Sequence, residues 1–213
     1  APLQAVVLYA GAPMANASIS VADLPPPAGL GTSCAGGVSL GAGEGAAVIC
    51  TGASITGRYV SVSAPGRVSL CRVQVLPLAG NAALGKRVSS SQGSGGNPGA
   101  LVDGDAQNGA CTTVVSNAGL VAWLTVDLGY SAAVSTVVLA NGDSTFVADL
   151  SVRLGDLPVV VGTENPVCAA AVSALPRTRV PIECVATGRY LTFYRALRQA
   201  SDMYLCQAFV YLS

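Results

Sequence analysis

The chain contains one cysteine-flanked motif twice. Residues 57–63 read GRYVSVS and residues 188–194 read GRYLTFY, and each motif follows two cysteines that lie 16 positions apart. These cysteines are Cys34 and Cys50 in the first copy and Cys168 and Cys184 in the second. The two copies are about 134 residues apart, whereas the repeats of solenoid proteins are only a few tens of residues long. The period therefore predicts tandem domains.

The similarity between the copies extends beyond the motif. SISVADLP at 18–25 aligns with SVRLGDLP at 151–158, and the tripeptide VVL occurs at 6–8 and again at 137–139. The repeat therefore covers several consecutive elements rather than a single short motif.

The alignment also locates a domain boundary. We predict it near LPLAGNAALGK at residues 76–86, where the second copy begins. The second copy has a front half, residues 79–136, that has no counterpart before the first copy. The sequence therefore predicts the C-terminal part of a module at 1–78 and a complete module at 79–213.

The seven cysteines fit this organisation. Cys71 occupies the place in the first copy that Cys206 occupies in the second, and the natural partner of Cys206 is Cys111 in the front half. The predicted disulfides are Cys34–Cys50, Cys168–Cys184 and Cys111–Cys206. Cys71 has no equivalent partner in its own copy, and we expect its partner either in sequence upstream of Ala1 or in another chain.

The pattern of apolar residues predicts an all-β fold. Period-two or β-rich stretches are bounded by Gly, Pro, Asn and Ser, while no segment has the pattern of a three-turn amphipathic helix. The clearest stretches are 121–128, 135–140, 150–154, 188–194 and 204–212. Short strands at regular spacing favour a β-sandwich or jelly roll, and each disulfide-closed loop would add about 3 kcal/mol of stability.

Charge and hydropathy exclude several partners. The chain has 11 basic and 11 acidic residues and therefore no net charge, so it has no electrostatic footprint for nucleic acid or for an anionic membrane surface. No apolar run reaches the length of about 18 residues that a membrane-spanning helix needs. The sequence starts at Ala1, without Met or a signal peptide, which indicates either a processed secreted protein or part of a longer polypeptide.

Nine short blocks, in this order, resemble the F-type lectins, or fucolectin-like domains. The resemblance covers 79–213, and the back half of the same pattern covers 1–78. It implies a β-jelly roll, disulfides, a structural calcium ion and binding of fucose-containing glycans by loops at one end. The blocks are NAALGKRVSSSQ (81–92), ALVDGD (100–105), ACTT (110–113), AWLTVDLG (122–129), VVLANGD (137–143), LSVRLGD (150–156), NPVC (165–168), C-x3-GRYLTF (184–193) and YLCQAFVYL (204–212).

The sugar site implied by the resemblance differs here. The family's fucose site has one histidine and two arginines, and the matching positions are Thr113, Asn141 and Ala148, with Asp143 as the central aspartate; the sequence contains no histidine. A site that selects sugars by hydrogen bonding loses heavily without its donors, so we expect the family's fucose binding to be lost. Together with Ser144, the polar residues could form a rim for another glycan or be solvated turn residues.

The calcium site implied by the resemblance is better preserved. Its ligands would be the Asp103 side chain, backbone carbonyls and groups near the C-terminus, because Ca2+ prefers oxygen ligands. The carbonyls are those of Ala100, Asp105 and Ala110, and the C-terminal groups are at Cys206 and Gln207. Gln207 stands where the family has glutamate, and Ala110 stands where it has serine. The alternative is an Asp-Gly turn that needs no metal.

Three other features have a structural and a functional interpretation. Asn16 begins the sequon Asn-Ala-Ser and is either glycosylated or an unmodified residue at a strand edge. Arg58 and Arg189 occupy the same place in both copies, which favours a structural role over a functional one. Trp123 is expected in the core.

The residue inventory argues against catalysis. Without histidine there is no Ser-His or Cys-His pair and no histidine metal site. The close carboxylate pairs are Asp103 with Asp105 and Asp143 with Asp149, and no phosphate-binding glycine loop opens a helix. We expect a non-enzymatic module of an extracellular coat, filament or matrix glycoprotein, used for assembly with other extracellular proteins or further modules of the same polypeptide. The alternative is a working lectin with altered glycan specificity.

Overall fold

The computed structural model is all-β, as the sequence predicts. It describes residues 3–25, 31–50, 55–77, 80–91, 94–95, 97–105, 110–114, 121–141, 146–196 and 202–213. The chain divides into two compact units, Ala1–Gly80 (unit 1) and Asn81–Ser213 (unit 2). The boundary lies two residues from the predicted one.

Unit 1 contains two antiparallel three-stranded sheets in its described part. Their strand orders are β4-β1-β6 and β3-β2-β5. Its strands are β1 (Leu3–Ala10), β2 (Met14–Ala22), β3 (Thr32–Leu40), β4 (Gly45–Ile49), β5 (Tyr59–Ser63) and β6 (Leu70–Pro77). Val6, Leu8 and Ile19 are fully buried in its core. Strand β2 alternates between buried and more exposed residues and so buries one face, whereas β1 is buried on both faces from Ala5 to Leu8.

Unit 2 is built around a larger antiparallel sheet of order β12-β11-β13-β10-β15, with β7 paired to β10. A smaller sheet has the order β14-β9-β8. The elements are β7 (Arg87–Ser90), β8 (Ser94–Gly95), a 3-10 helix (Pro98–Val102), β9 (Thr112–Val114), β10 (Ala122–Ala140), β11 (Val147–Gly155), β12 (Val167–Ala174), β13 (Arg179–Arg195), β14 (Met203–Leu205) and β15 (Gln207–Leu212).

Residues from both halves of unit 2 fill its core. Leu191 and Phe193 of β13 are fully buried with Leu124 of β10, and Leu101 and Val102 of the 3-10 helix belong to the same cluster. Trp123 is 7% exposed, so its predicted core position is confirmed.

The pairing pattern of unit 1 recurs in unit 2. Strand β2 pairs with β3 and β5, and β11 pairs in the same way with β12 and β13. The registers also coincide, since Val21 lies opposite Val60 and Leu154 lies opposite Leu191. The sequence repeat is therefore accompanied by a repeat of strand pairing at the same residues.

Three disulfides join the pairs that the sequence predicts. Two of them, Cys34–Cys50 and Cys168–Cys184, each close a loop of 16 residues. The third, Cys111–Cys206, joins residues 95 positions apart. Cys71 is a free, exposed thiol. Among the described residues, no helix has the length and apolar character needed to cross a membrane.

Candidate functional site

The residues predicted at the sugar site lie on different elements of unit 2. Thr113 is a half-buried residue of β9, where it lies opposite Tyr204 of β14. Ala148 is a partly exposed residue near the start of β11. Asp143 and Ser144 lie outside the described residues. Neither Thr113 nor Ala148 supplies the charged donors that the resemblance associates with fucose.

Asn141 follows the last residue of β10, and its side chain is turned inward. It is 6% exposed, and its Nδ2 donates to the carbonyls of Ala174 and Leu175 at 3.0 and 3.2 Å. Its backbone N–H donates to the Thr178 carbonyl at 2.9 Å. The amide donors of Asn141 thus hold the turn between β12 and β13, because buried carbonyls need partners.

The residues predicted at the calcium site lie where the 3-10 helix meets β15. Ala100 is in the 3-10 helix, whose N-terminus is capped by Asn97, and Asp103 ends that helix. The Asp103 Oδ1 atom accepts the backbone N–H of Asp105 at 2.9 Å, and Gly104 between them has a φ of +85°. Asp103, Gly104 and Asp105 therefore form a turn closed by an aspartate side chain, as such sequences commonly do.

The buried side chain of Gln207, the first residue of β15, connects these groups. With the amide nitrogen facing the acceptors, Nε2 donates to the Ala100 carbonyl at 2.9 Å and to Asp103 Oδ1 at 2.8 Å. In the same orientation Oε1 accepts the Gly104 N–H at 2.9 Å. The opposite orientation would set oxygen against oxygen and N–H against N–H, so without a cation between the oxygens the hydrogen-bonding pattern assigns the amide in this way.

This arrangement does not fit a bound calcium ion. Ca2+ takes roughly six to eight oxygen ligands, whereas with the amide assigned in this way the group that faces Ala100 and Asp103 is an NH2 donor. Ala110 is exposed, and residues 106–109, which lead to it from Asp105, are outside the description. Within the described part of the chain, no group of three or more His, Cys, Asp or Glu residues is arranged to hold a metal ion. Calcium binding stays a prediction of the resemblance.

The two arginines of the repeated motif both lie over the tyrosine that follows them. The guanidinium of Arg58 is 5.7 Å from the Tyr59 ring centroid, and that of Arg189 is 5.1 Å from the Tyr190 ring centroid. Arg189 also makes a two-pronged ion pair with Asp127, at 2.7 and 2.9 Å. This hydrogen bonding lowers the pKa of the Asp127 carboxyl and raises that of Arg189. The geometry favours the structural interpretation.

The remaining candidates lie on the surface. Asn16 is exposed in β2 with a left-handed φ of 53°, a conformation that asparagine tolerates; its side chain is accessible, and glycosylation stays a prediction. The Asp103 carboxylate serves the turn to Asp105. Asp149 is exposed, and its predicted partner Asp143 lies outside the described residues.

One feature that the sequence did not predict is an exposed apolar face of unit 1, the β6 face, formed by Cys71, Val73 and Val75. Val73 and Val75 are 44% and 48% exposed. Yet they lie opposite Leu8 and Val6 of β1, which are fully buried. Residues opposite each other in antiparallel strands point to the same side of the sheet, so the β6 face continues a core-facing surface.

The matching face of unit 2 is covered. Ala208 and Val210 lie opposite Leu139 and Val137 of β10, in the register of Val73 and Val75, and both are fully buried. The 3-10 helix contacts β15, and Asn81 accepts the Val210 N–H at 2.9 Å. The front half of unit 2 thus covers β15. The sequence feature that could have predicted the exposed β6 face is the front half of the second copy, 79–136, which has no counterpart in the first copy.

Comparisons with known proteins identify the type of fold. No protein-family model matches the chain, and no curated protein matches its sequence. A fucolectin from the serum of the striped bass Morone saxatilis is similar in structure, with a TM-score of 0.57 and 23% identity over 100% of this chain and 78% of that one.

Two other solved structures each cover 62% of this chain with a TM-score of 0.51. They are the lectin domain of lectinolysin in complex with Lewis B antigen and a fucose-binding module from Streptococcus pneumoniae. Their identities to this chain are 22% and 19%, over 96% and 95% of their own lengths. At these identities, the similarity shows a lectin-type β-sandwich fold.

Proposed function

We propose that this chain is a non-catalytic, lectin-fold part of an extracellular cell-surface, filament or matrix glycoprotein, in which the modules serve assembly or adhesion. The observation that carries the proposal is the β6 face, where Cys71, Val73 and Val75 are exposed. Large contiguous apolar patches on soluble proteins commonly mark interaction sites, and the β6 face continues the core-facing side of its sheet. A face of this kind beside a free thiol is suited to a permanent, covalently fixed contact.

The structure of unit 2 suggests what would cover this face. A segment equivalent to residues 81–114 would bury Val73 and Val75 as the front half of unit 2 buries Ala208 and Val210. Its counterpart of Cys111 would bond to Cys71. The matching strand registers support this interpretation of unit 1 as the back half of a module. The striped bass fucolectin matches over 100% of this chain and 78% of its own length.

Disulfide mapping of the native protein tests this proposal. We expect mass spectrometry of an unreduced digest to find the Cys71 peptide bonded to a peptide from outside residues 1–213. A peptide of the same polypeptide would identify a missing front half, and a peptide of another protein would identify an assembly partner. Recovery of Cys71 as a fully free thiol in the native protein would contradict the proposal.

A pair of serine variants provides the matched comparison. In residues 1–213, Val73→Ser with Val75→Ser is expected to change the free energy of unfolding by less than about 0.5 kcal/mol, because both side chains are already exposed. Ala208→Ser with Val210→Ser places two hydroxyl groups in the core of unit 2 and should cost at least about 2 kcal/mol. Equal losses from the two pairs would show that the β6 face is a covered part of the core.

A working lectin with altered specificity is the second candidate, and Phe146 favours it. Phe146 is 55% exposed and lies in the sequence between Ser144 and Ala148, among the residues predicted at the sugar site. The structural neighbours are carbohydrate-binding lectin modules, and an exposed aromatic face offers apolar contact area to a ligand.

A glycan array separates the two candidates. If the chain is a lectin, residues 1–213 should bind a defined set of glycans, and Phe146→Ala should weaken that binding about tenfold or more, the effect of losing about 1.4 kcal/mol of contact energy. The control is Val185→Ala, which removes a 72% exposed apolar side chain from β13. The assembly proposal expects no glycan signal above background.

A further inference from the structure

The amide of Gln207 closes a complete set of hydrogen bonds. It is the first residue of β15, and its side chain is fully buried. With the amide assigned as above, it hydrogen-bonds to the Ala100 carbonyl, Asp103 Oδ1 and the Gly104 N–H at 2.8 to 2.9 Å. One side chain therefore joins β15 to the end of the 3-10 helix and to the turn that follows it. A bound cation would have to make the same connection by drawing these oxygens together.

The Gly104 N–H determines whether glutamine or glutamate at position 207 is compatible with a bound cation. For Gln207 to bind a cation, Oε1 would have to face Ala100 and Asp103, and the NH2 group would then face the Gly104 N–H at 2.9 Å. Two donors would oppose each other there. A glutamate at this position would have no such conflict, because one carboxylate oxygen could bind the cation while the other accepts the Gly104 N–H.

We propose that the Gln207 amide takes the place of a calcium ion and makes unit 2 independent of the metal. The two N–H groups of Nε2 supply to Ala100 and Asp103 the positive partner that a cation would supply. The amide also removes one formal negative charge relative to a carboxylate, and Ca2+ affinity falls as the charge of the ligands falls. The connection between β15 and the 3-10 helix then forms on folding without an ion.

Thermal unfolding of the unchanged chain gives the first test. We expect the same Tm in EDTA and in millimolar CaCl2, and no binding heat when CaCl2 is titrated into the protein. A one-to-one binding isotherm together with a calcium-dependent rise in Tm, both lost in Asp103→Asn, would overturn the proposal.

The variant Gln207→Glu gives the second test, because it should create the dependence that the native chain lacks. In EDTA its Tm should fall, since a buried carboxylate would face Ala100 and Asp103 without a cation. A hundredfold excess of CaCl2 over the Kd should raise its Tm by roughly 5–10 °C. A folded Gln207→Glu protein, verified by circular dichroism, with the same Tm in both buffers would contradict the inference.

The control is Gln207→Met, which keeps the length of the side chain and removes its polar atoms. We expect a lower Tm than in the native chain, and the same lowering in EDTA and in CaCl2. A calcium response in Gln207→Met would show that the ion binds without residue 207, which the proposal forbids. If Gln207→Glu fails to fold, the titration of the unchanged chain still decides the question.

Discussion

Joint replacement of Cys111 and Cys206 by alanine is expected to lower the free energy of unfolding of unit 2 by about 4 kcal/mol. The bond joins residues 95 positions apart, and in the chain-entropy model a bridge across about 100 residues stabilises by about 4.7 kcal/mol, reduced where the unfolded chain keeps structure. Cys206 directly precedes β15, so the bond also holds the front half against the strand that it covers. Denaturant unfolding monitored by Trp123 fluorescence measures the loss.

The matched comparison is the joint replacement of Cys168 and Cys184. That bond joins residues 16 positions apart, and the same model gives it about 3 kcal/mol. We therefore expect the long bridge to contribute more than the short one. If the short bridge proved equal or stronger, its effect would come from packing against β12 and β13 rather than from restriction of the unfolded chain.

The sequence was a good guide to these bonds because their positions follow from the repeat. Once 18–25 is aligned with 151–158, the cysteines of the two copies match within two positions, and only Cys71 is left without a partner. The strand pairs follow for the same reason: a one-residue slip would turn buried side chains such as Leu191 to the opposite face. The period-two pattern and the cysteine spacing can both be read directly from the sequence. Together they determine which residues of neighbouring strands lie opposite each other.

The candidate site was less accessible to prediction, because it depends on the direction of single side chains. Asn141 was expected at a polar rim, but its amide serves the Ala174 and Leu175 carbonyls. The sequence around Asn141 does not indicate that these two carbonyls, more than 30 positions away, lack other donors. Likewise, the sequence shows only that Gln207 stands where the resembling family has glutamate, which has one more negative charge. The sequence does not show that its NH2 group can donate to both Ala100 and Asp103. That follows from the structure, where the Gly104 N–H takes up the amide oxygen.

Replacement of Gly188 by alanine should lower the free energy of unfolding of unit 2 by about 3 kcal/mol, at the upper end of what overpacking costs. A Cβ atom at Gly188 would lie 2.5 Å from both the Cα and the backbone nitrogen of Gly155 on β11. These obstructing atoms belong to a paired strand and cannot rotate away, so the strands would have to move apart. Denaturant unfolding, with circular dichroism to verify the fold, measures the cost.

Gly57 provides the equivalent test in unit 1, since it begins the other copy of the motif. A Cβ atom there would lie 2.6 Å from Val21 Cγ1 and 2.9 Å from the Ala22 carbonyl oxygen. We expect a smaller loss from Gly57→Ala, about 1–2 kcal/mol, because the nearest atom belongs to a side chain that can shift. The control is Gly66→Ala, where a Cβ atom would meet no atom within 4 Å.

These three variants test why the chain repeats Gly-Arg-Tyr. If Gly188→Ala and Gly57→Ala destabilise and Gly66→Ala does not, the glycine is required where two backbones pass closely, and the arginine lies over the adjacent tyrosine in both units. The motif would then be explained by packing alone. If Gly188→Ala left stability unchanged, the close approach to Gly155 would not constrain the sequence. The repeated motif would then need another cause, such as a contact made by Arg58 and Arg189 with a partner.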